Sequence, residues 1–153
     1  MRVRGLAAIV AAALVLVATP SSAAPERSIT LTKERRAASW TSDFRVGPDI
    51  GLCDREALGC ETTLIRLTRD GALSITTKQR VAPNALGGQL FLDLARSNAK
   101  GAKGKPVSTK EQRSGSTVSI TARSLAAGYY LLVVSWYDLA VGEHTGTAKY
   151  VPR

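Results

Sequence analysis

The sequence predicts an all-β sandwich carried behind an export signal. Three observations support this. The first twenty-three residues form a basic, apolar, then small-residue series. The middle of the chain alternates apolar and polar residues with period two. The last third runs as a strand (Thr117 to Arg123), a Leu-Ala-Ala-Gly turn, a long apolar strand (Tyr129 to Tyr137), a loop and a closing strand (Gly146 to Val151).

The N-terminal series opens with Arg2 and Arg4, continues through an unbroken apolar run at 6–18, and breaks at Pro20 before Ser21-Ser22-Ala23. A short cationic region, an apolar stretch and small residues at the cleavage position make a removable signal peptide. The run is short for a bilayer span. Cleavage is expected after Ala23, since a cut after Ala24 would place Pro25 beside the scissile bond. No second spanning segment follows, so a secreted, extracellular chain of 130 residues is expected, enough for one domain with its own core. Residues 24–38 read as an N-terminal segment with a short strand at Ile29-Thr30-Leu31-Thr32, and residues 39–153 as the sandwich.

The mature chain keeps 19 basic side chains against 12 acids, a net charge of about +7. A positive excess favours anionic partners. Export and the lack of a recognisable nucleic-acid motif speak against nucleic acid. Cys53 and Cys60 are the only cysteines. An even number in an exported chain reads as a disulfide, here closing a short loop. One His and two Cys are too few for a closed zinc site.

Ser39 to Val46 is expected to be a strand. Residues 47–61 read as a glycine-containing loop pinned by the disulfide. In Thr62 to Lys78 two β-rich runs flank Arg69-Asp70-Gly71, and Asp-Gly is a hairpin signal. Leu73, Ile75 and Thr77 face one way. Leu90, Leu92 and Leu94 repeat the pattern, as do Val118, Ile120 and Ala122. The strand 129–137 is apolar on both sides. Tyr130, Leu132, Val134 and Trp136 suit a core. Tyr129, Leu131, Val133 and Tyr137 form either a covered central face, with 29–36 as the cover, or an apolar platform for a partner.

Residues 97–116 are dense in Gly, Ser and Pro and carry Lys100, Lys103, Lys105, Lys110 and Arg113 against one acid, Glu111. They read as a flexible loop, serving as an anion-binding arm or merely solvated. Asp43, Asp49, Asp54, Glu56 and Glu61 form an acidic cluster. Of these, Asp49, Asp54, Glu56 and Glu61 are weak calcium candidates, since loops rich in oxygen ligands suit that ion. The EF-hand spacing is absent and Arg45 and Arg55 interrupt the acids. No other cofactor is indicated.

Catalytic motifs are missing. There is no G-x-S-x-G elbow and no HExxH. The single histidine, His144, sits in Gly-Glu-His-Thr-Gly and reads as an exposed structural residue of a loop. No pair of carboxylates is marked out for glycoside cleavage. No catalytic residue is therefore assigned.

The order Cys60-Glu61-Thr62-Thr63-Leu64-Ile65-Arg66-Leu67 and Gly71-Ala72-Leu73-Ser74-Ile75 resembles the opening of the bacterial pre-peptidase C-terminal (PPC) domain. Leu90 to Ala95, Val118-Ser119-Ile120, Ala127 to Val134 and Thr145 to Val151 resemble its later strands. The likeness spans about residues 39–151. It implies an antiparallel jelly-roll-like β-sandwich that is non-catalytic and associated with substrate or surface attachment. Related collagen-binding domains bind calcium. The family's acidic strand is matched only by Leu92-Asp93-Leu94, so no calcium ligand carries over. Domains of that family usually sit after secreted proteases, whereas here the domain is expected to follow a signal peptide directly, which is a departure from the family.

The leading expectation is a secreted, non-enzymatic module that binds an extracellular surface: polysaccharide, wall polymer or protein. The alternatives are a partner subunit of a separately encoded hydrolase, with the 129–137 face as contact, and a small hydrolase using His144 or a carboxylate pair.

Overall fold

A computed structural model describes residues 24–43, 59–81, 89–112, 117–137 and 142–153. Nine strands and no helix occur among them: β1 (Arg27–Leu31), β2 (Ala37–Asp43), β3 (Gly59–Leu67), β4 (Gly71–Val81), β5 (Leu90–Ser97), β6 (Lys103–Gln112), β7 (Thr117–Leu125), β8 (Gly128–Trp136) and β9 (Gly142–Pro152). They form a five-stranded sheet ordered β1-β3-β8-β5-β6 and a four-stranded sheet ordered β2-β9-β4-β7. Strands β2 to β9 thus follow the eight-strand jelly-roll path, with the first and last strands paired in one sheet and β3 beside β8 in the other. β1 is an addition. It runs parallel to β3 along the edge of the larger sheet, Ile29 opposite Ile65.

Period-two alternation builds the core. Leu73 and Ile75 of β4, the three leucines of β5, Val118 and Ile120 of β7, and Tyr130, Leu132 and Val134 of β8 interleave between the sheets. The alternate β4 and β7 residues meet water and pair through hydroxyls, Ser74 with Thr121 at 3.2 Å and Thr76 with Ser119 at 2.9 Å.

The expected Asp-Gly hairpin does not form. β3 and β4 lie in different sheets, and the Arg69-Asp70-Gly71 turn is a corner between them. Gly71 is not among the left-handed glycines of the described residues, as a type I′ turn would need. The glycine permits close approach instead: a Cβ there would collide with the Val151 carbonyl and the Tyr150 ring. Asp70 spends its oxygens on distant chain. Its carboxylate accepts Ala127 N–H at 2.8 Å and its carbonyl accepts Arg153 N–H at 2.8 Å.

The expected flexible loop 97–116 is largely an edge strand. β6 pairs antiparallel with β5 over Gln112 to Lys103, with register shifts near Ala95. Lysines and Pro106 hide its β character in the sequence, yet they are what an edge strand carries to discourage further pairing.

β8 is central to its sheet, between β3 and β5. Both of its faces are buried: Leu131 and Val133 on the outer side reach 0% and 2% exposure and pack with Cys60. The segment expected to cover that side does not, because β1 lies in the plane of the sheet. Residues 24–26 and the β5–β6 turn cover part of it. Glu26 N–H donates to Thr62 Oγ1 at 3.2 Å, Gly101 (φ +84°) abuts Pro25, and Lys103 reaches back to Asp93 at 2.6 Å.

Candidate functional site

The sandwich has two unlike ends. At one, four short connections join the strands: 32–36, 68–70, 98–102 and 126–127. At the other, β2, β4, β6 and β8 finish and β3, β5, β7 and β9 begin, the joining residues lying outside those described. The inward side chains change along this axis. Near the short turns they are Leu67, Leu73, Tyr130 and Tyr150. At the far end they are Ser42, Glu61, Gln79, Trp136 and His144, all but Ser42 buried.

Glu61 is the centre of this polar layer. It is 2% exposed on β3. Arg27 of β1 forms a salt bridge to its Oε1. His144 of β9, fully buried, places Nε2 at 3.1 Å from its Oε2. The Arg27 guanidinium also donates to Ser42 Oγ at 2.8 Å and lies 5.6 Å over the Trp40 ring. The Trp136 ring stands 6.1 Å from the imidazole. Burial pushes the Glu61 carboxyl up. Hydrogen bonds from His144 and Ser42, and the charges of His144 and Arg27, outweigh that and hold it below its ordinary value of 4.5.

The cluster joins β1 and β3 of one sheet to β2 and β9 of the other, so it acts as an inter-sheet staple. Its order is wrong for nucleophilic catalysis. A serine nucleophile needs the imidazole between hydroxyl and carboxylate; here the carboxylate stands between His144 and Ser42. Full burial of the imidazole also removes it from substrate. Among the described residues no group of three His, Cys, Asp or Glu side chains is placed to hold a metal ion.

Two expectations are corrected here. His144 is not an exposed loop residue but an inward residue of β9. Glu61 is not a loop acid available to calcium but a buried strand residue taken up by Arg27 and His144. Asp49, Asp54 and Glu56 lie outside the described residues, as does Cys53; Cys60 is buried at the start of β3. The lysine set is divided. Lys100, Lys105 and Lys110 are exposed, Lys103 is drawn to Asp93, and Arg113 lies outside the described residues. Of the apolar face, Leu131 and Val133 are buried, while Tyr129 and Tyr137 are half-buried. Arg66 lies 5.7 Å over the Tyr129 ring.

Sequence reasoning missed Arg27 and the pairing of Glu61 with His144. A signal existed for the histidine. The inward series Tyr150, Ala148, Gly146, continued back by two residues, lands on His144. Trp40 sits opposite Gly146 in the β2–β9 register, and a Cβ at Gly146 would fall inside the indole. Nothing local marks the Arg27 partnership, which spans 34 residues.

No known family profile matches the chain, and no curated protein matches it. Among solved structures it is similar to the pre-peptidase C-terminal domain of a collagenase from Bacillus anthracis, at 12% identity and a TM-score of 0.48, over 83% of this chain and 97% of that one. It is similar also to CorA, a surface-associated copper-binding protein of Methylomicrobium album BG8, at 11% identity and a TM-score of 0.48, over 85% of this chain and 99% of that one. A β-glucosidase from Paenibacillus barengoltzii matches at 16% identity and a TM-score of 0.38; 92% of this chain covers 12% of that one. The domain type that the sequence resembles is thus among the solved structures similar to this chain.

Proposed function

We propose that this chain is an exported binding module, without catalytic machinery, that attaches to an extracellular macromolecular surface of polysaccharide, wall polymer or protein. One observation carries the reading: the positive excess of the chain is displayed on exposed side chains. Among the described residues the ion pairs use Arg27, Arg80, Lys103 and His144, and most of the remaining lysines and arginines face water. Glu61 and His144, by contrast, are buried inside the fold. The N-terminal export pattern and a Cys53–Cys60 disulfide belong to the same reading, since both suit an oxidising, extracytoplasmic setting. No helix among the described residues is long and apolar enough to cross a membrane.

The test is retention of the protein, purified from culture medium, on the producer's cell wall and on insoluble polysaccharides and fibrous proteins, at low and high salt. Salt-sensitive retention is expected. Absence of retention on every matrix, with a stable hydrolase complex in the medium, would replace this reading with the partner-subunit one. Turnover of a glycoside or peptide substrate that is lost in His144→Ala, in a variant that still folds, would restore the enzyme reading.

A further inference from the structure

The exposed cations are not spread evenly. Lys33, Arg35 and Arg36 lie in the β1–β2 turn, Arg69 in the β3–β4 corner, Arg96 near the end of β5, and Arg153 beyond β9. Backbone bonds bring these segments together. Thr68 N–H donates to Leu31 O at 3.2 Å, Tyr150 N–H to Arg36 O at 2.7 Å, and Arg153 N–H to Asp70 O at 2.8 Å. Arg96 stands 5.0 Å over the Tyr130 ring, whose hydroxyl donates to Ala126 O of the β7–β8 turn at 2.6 Å. All six basic residues are exposed. Among the described residues none of the six is in a salt bridge. Of the 12 acids in the chain, only Glu34 and Asp70 fall in the short connections at this end. The Asp70 carboxylate accepts the Ala127 N–H. The Glu34 carboxyl is held low first by its hydrogen bond with Thr32, then by its backbone N–H and by the Arg69 and Arg36 charges.

We propose that this short-turn end of the sandwich is the attachment surface, and that it binds an anionic extracellular glycan or wall polymer through the polymer's phosphate, sulfate or carboxylate groups. The inference rests on the binding-module reading and moves its contact away from the β6 lysines. Guanidinium groups predominate, and their planar donor fork matches such oxyanions in a way an ammonium does not. The cations stand on separate turns rather than converging in a buried pocket, which suits many spaced charges better than one small anion. A membrane surface is disfavoured because interfacial binding needs apolar side chains to insert. Val151 is the only large apolar residue strongly exposed among the described residues, at 64%.

The experiment measures retention on immobilised heparin, poly(glycerol phosphate) and polygalacturonate, with phosphatidylglycerol vesicles as a further arm. The triple variant Arg35→Glu, Arg69→Glu, Arg153→Glu is compared with Lys105→Glu, Lys110→Glu. The cap variant should bind about tenfold more weakly or worse at low salt, and the β6 variant should change little. The three polymer arms identify which oxyanion is preferred. If charge reversal lowers the melting temperature, the glutamine triple at the same positions replaces it and should show the same loss. Cap variants retained as well as the wild type, or loss confined to the β6 variant, would overturn the assignment while leaving a binding module in place. Binding to vesicles but to no polymer would overturn the ligand class. A wild type retained on nothing would remove both this inference and the proposed function.

Discussion

A carboxylate between two sheets has to be paired. Glu61 meets that demand with an arginine from an edge strand and a histidine from the facing sheet. Taking it away strands a partly buried guanidinium and an imidazole, and breaking a pair of this kind costs about 3 kcal/mol. Glu61→Gln should therefore lower the melting temperature by about 10 °C for a chain of this size, as calorimetry would show. The same carboxyl carries an acid signature. Its pKa in the folded chain lies below its ordinary value of 4.5. A depressed carboxylate adds stability that is complete above the unfolded pKa and is lost as pH falls through the folded one. Wild-type melting temperature should decline as pH drops below about 4.5. Glu61→Gln should start lower and decline less steeply. Parallel curves would mean that Glu61 does not ionise within the cluster.

Strand pairs set the next level. Within one sheet, Trp40 of β2 packs over Gly146 of β9, an approach that a side chain at 146 would block. Gly146→Ala should displace the indole and cost about 1–3 kcal/mol, as overpacking does. A red shift in tryptophan emission together with a lower melting temperature is the expected pair of readings; an unshifted spectrum would place the strain elsewhere. The proposed Cys53–Cys60 bridge would close a short loop between β2 and β3. Intact protein should resist alkylation until reduced, and reduction should lower stability by about 2–3 kcal/mol. Prompt labelling of Cys60 without reductant would disprove the bridge. The β3–β4 corner works differently again: Tyr150 OH donates to Arg69 O at 2.7 Å, so the closing strand holds the turn that the local sequence marks as a hairpin.

At the scale of the molecule, the fold sorts its polar groups by end. The short turns carry unpaired cations. The opposite end carries the Arg27–Glu61–His144 cluster, with Glu61 and His144 buried and Arg27 partly so. Stabilising groups and surface charge therefore occupy different places, and changes to one should leave the other alone. Retention on an anionic matrix should fall steeply between about 0.05 and 0.5 M salt, because exposed charges are screened within about 10 Å at 0.1 M. The melting temperature should hardly move over that range, since Glu61 and His144 are shielded from the solvent ions. A melting temperature that tracked salt as strongly as retention did would contradict this separation.

The class of fold and the inward faces of β4, β5 and β7 were legible in the sequence, which left 129–137 open between a central strand and a platform. The legible features depend on alternation along single strands, which is local and readable. The resemblance of 39–151 to a pre-peptidase C-terminal domain added the jelly-roll path. Which strands pair follows from contacts between remote segments. The Asp-Gly corner turns between sheets because distant N–H groups from Ala127 and Arg153 claim Asp70. β6 is a strand because β5 offers it a ladder, although its own lysines and proline argue against one. His144 looks like loop when read among Gly-Glu-His-Thr-Gly, and it becomes a core residue through the register with Gln79 and Ser42. The basic end was hidden for the same reason: its cations are scattered from Lys33 to Arg153, and only folding brings four turns to one end. Burial, pairing and charge density at a surface are sums over remote segments, and no window along the chain contains them.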